Sequence, residues 1–163
     1  MLTTTRIEKI TQQLLMKLRV DHPNDLNFER ITKGLGIKVN YWEFESELVK
    51  MKGRYIIFLN ENSNEIKKWL NLIHEVGHLC LHVGRQENLP YEFVQLQEWQ
   101  ANTFMYYFCV PTFMLDELHT VTPAEVSRVF KVDYHFATRR VEMYESKQNI
   151  RRIRLYESQL VGV

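Results

Sequence analysis

Between Leu70 and His82 the chain reads Leu-Asn-Leu-Ile-His-Glu-Val-Gly-His-Leu-Cys-Leu-His, and no other stretch restricts the possible folds as strongly. Trp69, Leu72, Ile73, Val76, Leu79 and Cys80 recur at the three- and four-residue spacing of one helical face, so the segment predicts a helix packed on a core. His74 and His78, four residues apart, stand one above the other and can direct two imidazoles at a single ion. Glu75 is turned about 100° around the axis, where it can reach a water on that ion without being a ligand. H-E-x-x-H on a helix is the zinc hydrolase pattern: two histidines hold the metal, the metal acidifies a water, and the glutamate takes the proton. Gly77 adds a constraint, because glycine inside a helix gives up about 1 kcal/mol relative to alanine, which implies that something packs closely there. The plainer alternative is a core helix that happens to carry two histidines and a glutamate. The strong helical pattern and Gly77 favour a metal site.

The rest of the composition bounds what surrounds this helix. A chain of 163 residues with 45% apolar and 25% charged residues makes one globular domain, or one domain with a small appendage. A net charge of +1 argues against bulk nucleic acid or a membrane surface as partner. Cys80 and Cys109 both lie in apolar helical contexts without C-x-x-C spacing, so buried free thiols in a reducing compartment are expected. The start of the chain lacks the apolar core of a signal peptide and no apolar run reaches transmembrane length. A cytoplasmic location is expected.

In chain order, a helical stripe of Ile7, Ile10, Leu14, Leu15 and Leu18 is broken by the turn residues 21–25. A short helix over Asn27–Gly34 follows, with Phe28, Ile31 and Leu35 inward and Gly34 or Gly36 ending it. No basic recognition face supports helix-turn-helix DNA binding here. Residues 37–44 and 53–60 alternate as strands, and the polar stretch 45–52 between them reads as an exposed connection. Two or three antiparallel strands are thus expected before the metal helix, and their rim could take an extended peptide by strand addition. Asn62 or Ser63 is a candidate cap, with Glu65 in the first turn. The helix is expected to stop at Gly84, followed by a loop over 85–90. A second long helix, from Tyr91 or Glu92 to Cys109, ends at Val110-Pro111.

A catalytic zinc needs three protein ligands and an open position. His82 is tempting, but it lies eight residues from His74, about 12 Å along the axis, and both cannot approach within ~2.1 Å of one ion that also sits on His78. Closing the helix or supporting a ligand is its expected role. The metzincin extension fails, because Leu81 and Gly84 stand where a glycine and a histidine should be. On the second long helix Glu98, Ala101, Asn102 and Met105 share one face. Glu98 would complete a thermolysin-like set of two histidines and one glutamate. Asn102, one turn on, could hydrogen-bond a ligating imidazole. Spacing alone leaves Glu92, Glu87 and Asp116 open as alternatives.

The combination of a strand ending in Leu59-Asn60, His-Glu-x-Gly-His-x-x-Leu-His at 74–82, Glu98-x-x-Ala101-Asn102-x-Phe104 and Val110-Pro111 resembles the ImmA/IrrE family of metallo-endopeptidases. The pattern covers roughly residues 25–118. The resemblance implies that Glu98 is the third zinc ligand. It also implies an anti-repressor role: many members are encoded on phages and integrative elements beside a helix-turn-helix repressor, which they cut or otherwise inactivate. Gln100, at a position often acidic in relatives, and Phe108-Cys109-Val110-Pro111, in place of the more usual Leu-Leu-Met-Pro, depart from the family without touching a proposed ligand.

In the tail, Thr122-Pro123 starts a helix whose apolar face is Val126, Val129 and Phe130. Another helix is expected over Tyr134–Lys147, with Phe136, Val141 and Tyr144 inward. Arg139, Arg140, Lys147, Arg151, Arg152 and Arg154 make this region basic, either a solvated face or a dock for an acidic partner surface. The resemblance implies that this unit helps to recognise the substrate. The expectation is an α+β, gluzincin-type fold: helices around a small, mainly antiparallel sheet, a metallopeptidase domain over 1–118, and a C-terminal helical extension over 119–163. Zn2+ is expected on His74, His78 and, as the resemblance implies, Glu98, with Glu75 as the catalytic base and Asn102 and His82 supporting the ligands. The expected partner is a protein, a helix-turn-helix repressor, with no direct nucleic acid or membrane contact. A non-proteolytic, repressor-binding or metal-sensing module is the alternative.

Overall fold

The structure, a computed structural model, describes residues 5–82 and 89–161, with side chains through residue 157. The expected helix end at Gly84, most of the loop after it and the candidate Glu87 lie outside the described residues. Helix α1 (Arg6–Lys17) is capped by the Thr5 side chain, which accepts from the Glu8 amide. Helix α2 (Phe28–Leu35) is capped by Asn27 and ends at Gly36, whose φ of +64° is a left-handed conformation that glycine adopts without strain.

Three strands follow: β1 (Lys38–Trp42), β2 (Glu47–Met51) and β3 (Arg54–Asn60). They form one α+β domain's sheet in the order β1-β3-β2. β2 and β3 are antiparallel, but β1 and β3 are parallel, so the sheet is mixed where the sequence suggested a mainly antiparallel one. The difference lies in the stretch 45–52, expected to be a connection. Lys52 and Gly53 both have positive φ (48° and 77°), the backbone of a tight two-residue hairpin turn, and this folds Glu47–Met51 back along β3. β2 is an edge strand: Leu48 packs against the core, while Glu47 and Lys50 are exposed, charges of the kind that discourage unwanted pairing at an edge.

Helix α3 (Glu65–Leu81) starts at Asn64, whose side chain accepts from the Lys67 amide, rather than at Asn62 or Ser63. It lies across the sheet and packs along α4 (Tyr91–Cys109). Ile57 and Leu59 of β3, Leu72, Ile73 and Val76 of α3, and Phe104 and Phe108 of α4 are fully buried together with Leu15 and Ile31. Cys109 joins this core, whereas Cys80 is exposed on α3, because it falls at the margin of the apolar face rather than within it. A single turn, α5 (Thr112–Leu115), leads to α6 (Pro123–Phe130), capped by Thr122. The last helix, α7 (Tyr134–Val161), continues beyond the expected Lys147. No helix among the described residues is long and apolar enough to cross a membrane.

Candidate metal centre

The close approach anticipated at Gly77 sets the geometry of the site. A Cβ there would lie 3.2 Å from the Cα and O of Ala101 and 3.2 Å from Cδ1 of Phe104, so α3 and α4 touch backbone to backbone at this level. Glu98 sits three residues before Ala101 and is thereby carried up to the histidine face of α3. His74 Nε2 lies 3.2 Å from Glu98 Oε2, His78 Nε2 lies 3.3 Å from Glu98 Oε1, and the two Nε2 atoms are 3.0 Å apart. Among the described residues these three side chains form the one cluster suited to a metal ion. Neither alternative carboxylate joins them: Glu92 is exposed in the first turn of α4, and Asp116 accepts a 2.7 Å hydrogen bond from Tyr144.

The donor chemistry fits a cation. Asn102 Oδ1 lies 3.0 Å from His74 Nδ1 and can only accept, so the His74 ring proton sits on Nδ1 and Nε2 presents a lone pair. That lone pair faces a carboxylate oxygen and a second imidazole, an arrangement of acceptors that a shared positive charge stabilises. A tetrahedral site with arms of ~2.1 Å has edges of about 3.4 Å, and the three separations, 3.2, 3.3 and 3.0 Å, fall inside that value. Burial holds the His78 pKa down at about 4, and the neighbouring His74 acts in the same direction against the opposing pull of Glu98. His78 is therefore neutral, the form that ligates.

Glu75 lies beside this cluster and is 8% exposed. Burial, followed by the charges of Glu98 and Glu47, raises its pKa to about 8, while a backbone hydrogen bond from Leu48 of β2 works in the other direction. A cation between His74, His78 and Glu98 would offset the Glu98 charge and return Glu75 toward the ionised form that accepts a proton. Asn71 of α3 donates to Ser46 Oγ at 3.1 Å, and the same oxygen accepts from the Asn60 amide. Through Ser46 the start of β2 is anchored next to Glu75. Ser46 and Leu48 fall in the stretch expected to be a connection; the glycine at 53, suited to a tight turn, was the one hint in the sequence that the chain folds back there.

His82 closes α3, its amide donating to the His78 carbonyl at 3.0 Å. Its ring stands outside the three-residue cluster, with Nδ1 3.1 Å from His78 Nδ1 and Nε2 2.9 Å from Gln100 Oε1.

Two imidazoles and a carboxylate converging beside a buried glutamate make a hydrolytic site of the peptidase kind. Comparison with known proteins gives the same class: residues 32–142 match the model of the peptidase M78 family, described as the IrrE N-terminal-like domain, and the chain belongs to this family. It is 34% identical over 149 residues to the phage-like element PBSX protein XkdA of Bacillus subtilis (strain 168), an alignment covering 88% of this chain and 75% of that protein. It is also 30% identical over 152 residues to the uncharacterized protein YqaB of the same organism, covering 89% and 87%. Both alignments are longer than the matched domain, so the similarity extends beyond the residues around the site.

Proposed function

We propose that this chain is a zinc-dependent endopeptidase that cleaves a specific cytosolic protein, a helix-turn-helix repressor of a phage or mobile element, and thereby derepresses transcription. The observation that carries the peptidase reading is the convergence of His74, His78 and Glu98 beside the buried Glu75. Two imidazoles and one carboxylate would suit zinc while leaving room for water or substrate. Bound there, zinc supplies Lewis acidity, lowering the pKa of a water and polarising a peptide carbonyl.

The chain's own residues do the rest. Glu75 takes the proton of the attacking water as its oxygen bonds to the carbonyl carbon, then delivers that proton to the amine nitrogen as the C–N bond breaks. Its burial keeps bulk water from competing for the proton. Asn102 orients His74 through Nδ1, and His82 stands behind His78. The outer edge of β2, next to Glu75 and paired with no strand among the described residues, offers an extended substrate backbone a strand to pair with. Membership of the peptidase family and a relative named for a phage-like element support the choice of substrate. A net charge of +1 favours a protein partner over DNA.

The test is co-expression with a helix-turn-helix regulator encoded beside the gene, wild type against Glu75→Gln, followed by intact-mass analysis of the regulator. A discrete fragment with wild type alone supports proteolysis and locates the cut. An intact regulator that co-purifies with both proteins would replace cleavage by sequestration, since binding does not need Glu75.

A further inference from the structure

The two histidines of the candidate metal centre are held differently on the side away from Glu98. His74 meets its acceptor directly, at Asn102 Oδ1. His78 meets another imidazole, that of His82, which in turn meets Gln100 Oε1. Gln100 and Asn102 both belong to α4, two and four residues after Glu98, so the helix that supplies the carboxylate also supplies the last group behind each histidine. The His82 backbone closes α3 one turn beyond His78, its amide donating to the His78 carbonyl, which sets the two rings on the same side of the helix end.

Each contact in this chain needs one donor and one acceptor, and a neutral imidazole has a single N–H to give. An amide oxygen can only accept, so Gln100 Oε1 requires the His82 proton on Nε2. His82 Nδ1 then carries a lone pair and accepts from His78 Nδ1–H. The single proton of His78 is thereby on Nδ1, and Nε2 is left as a lone pair directed toward His74 Nε2 and Glu98. Were the glutamine amide turned over, its Nε2 would donate, every proton in the chain would reverse, and His78 Nε2 would carry hydrogen and could not ligate. We propose that Gln100 is a positioning residue for the metal centre: acting through His82, it holds His78 in the tautomer whose Nε2 can bind a metal cation. This rests on the metal-centre reading given above and adds to it the residue that decides which face of His78 is available.

The intact chain tests this in three forms: wild type, Gln100→Met and Gln100→Glu. Methionine keeps the length and bulk of glutamine but removes the acceptor, whereas glutamate keeps an acceptor and cannot donate when ionised. Zinc affinity is measured by competition with a chromogenic chelator, and the histidine ring protons are assigned in zinc-loaded protein from long-range 1H–15N spectra. Gln100→Met should bind zinc about tenfold or more weakly, the usual consequence of removing an outer hydrogen-bond partner of a ligand, and its His82 proton should no longer be confined to Nε2. Gln100→Glu should stay within about threefold of wild type, on the same scale, with the wild-type ring pattern. A merely structural glutamine would change thermal stability and leave the ring pattern alone. Wild-type affinity and an unchanged ring pattern in Gln100→Met would overturn the proposal while leaving the metal centre standing, as would equal weakening by both substitutions. Failure of the wild-type chain to bind zinc would overturn the metal-centre reading and this inference together.

Discussion

Glu75 and Glu98 are two glutamates of one cluster whose surroundings give them different work. Glu98 has a side chain 42% exposed and presents one oxygen to each imidazole, the placement of a ligand. Glu75 is buried on the β2 side of α3, and its raised pKa reflects burial first and Glu98 second, the placement of a proton carrier. Glu75→Gln should therefore keep one zinc per chain by metal analysis while turnover falls about 10²- to 10⁴-fold, the usual weight of a general acid–base group. Glu98→Ala should lose the ion along with the activity. A chelator should abolish cleavage by the wild type, and added zinc should restore it; turnover that persists in metal-free protein would sink the zinc mechanism. The positions of His74, Glu75 and His78 were legible because a helix converts spacing directly into facing. Choosing among Glu98, Glu92 and Asp116 on residue spacing alone was not possible, because that choice depends on how two helices are set against each other. The burial of Glu75 was illegible for the same reason: part of it comes from a strand that the sequence did not announce.

At the scale of elements, that strand shows where pattern reading stops. β1 and β3 carry enough alternation and aromatic content to be recognised, and Trp42 of β1 packs against Phe58 of β3 with ring centroids 4.7 Å apart and planes tilted by 34°. β2 is short, lies at the edge of the sheet and reads Glu-Leu-Val-Lys-Met, without the period-2 alternation of a half-buried strand, and with it missing the parallel pairing of β1 and β3 could not be foreseen. The α3–α4 contact was legible through Gly77, and its energetics can be tested there. Gly77→Ala regains about 1 kcal/mol of helix propensity but sets a methyl 3.2 Å from two backbone atoms of Ala101 and from Phe104. Backbone atoms give way only if α4 moves as a whole, a cost of about 1–3 kcal/mol for overpacking. The net is a loss of about 0–2 kcal/mol, so the melting temperature should fall by no more than about 8 °C, at about 2–4 °C per kcal/mol for a domain of this size. Zinc affinity should fall further than stability does, because α4 carries Glu98 away with it. A zinc titration beside a thermal melt checks this, and wild-type affinity in a destabilised variant would show that the helices yield elsewhere.

At the scale of the molecule, the basic residues of α7 divide into two groups that the sequence presented as one. Arg140 is 1% exposed. It donates to the Val110 carbonyl and to Thr112 Oγ1, both at 2.9 Å, and lies 5.0 Å from the centre of the Tyr107 ring. Thr112 donates in turn to the buried Glu8 of α1, which also pairs with Lys147 of α7. Burial lowers the Arg140 pKa to about 10, with Tyr107 and Glu8 opposing it, so the guanidinium is charged at neutral pH and every member of the network has a partner. α1, the end of α4 and the first half of α7 are locked together by this polar core. Helical periodicity registers apolar stripes and has no means of marking an inward arginine, which is why Arg140 was grouped with its neighbours. Arg151, Arg152 and Arg154, by contrast, are exposed along with Ile150 and Ile153. Two variants separate these halves. Arg140→Ala strips a buried network of its central donor and should cost about 3 kcal/mol, within the range for breaking buried charged networks, lowering the melting temperature by about 6–12 °C. Truncation after Asn149 removes a segment whose described side chains, residues 150–157, are exposed, and should leave the melting temperature within about 2 °C, as surface changes of roughly 0.5 kcal/mol do, with zinc content unchanged. If the truncation were as damaging as Arg140→Ala, the distal half of α7 would have to pack on the body. If it spared stability and zinc but abolished cleavage of the protein substrate, while a short peptide spanning the cut was still hydrolysed, the exposed basic segment would be the part of the molecule that engages the substrate away from the bond it breaks.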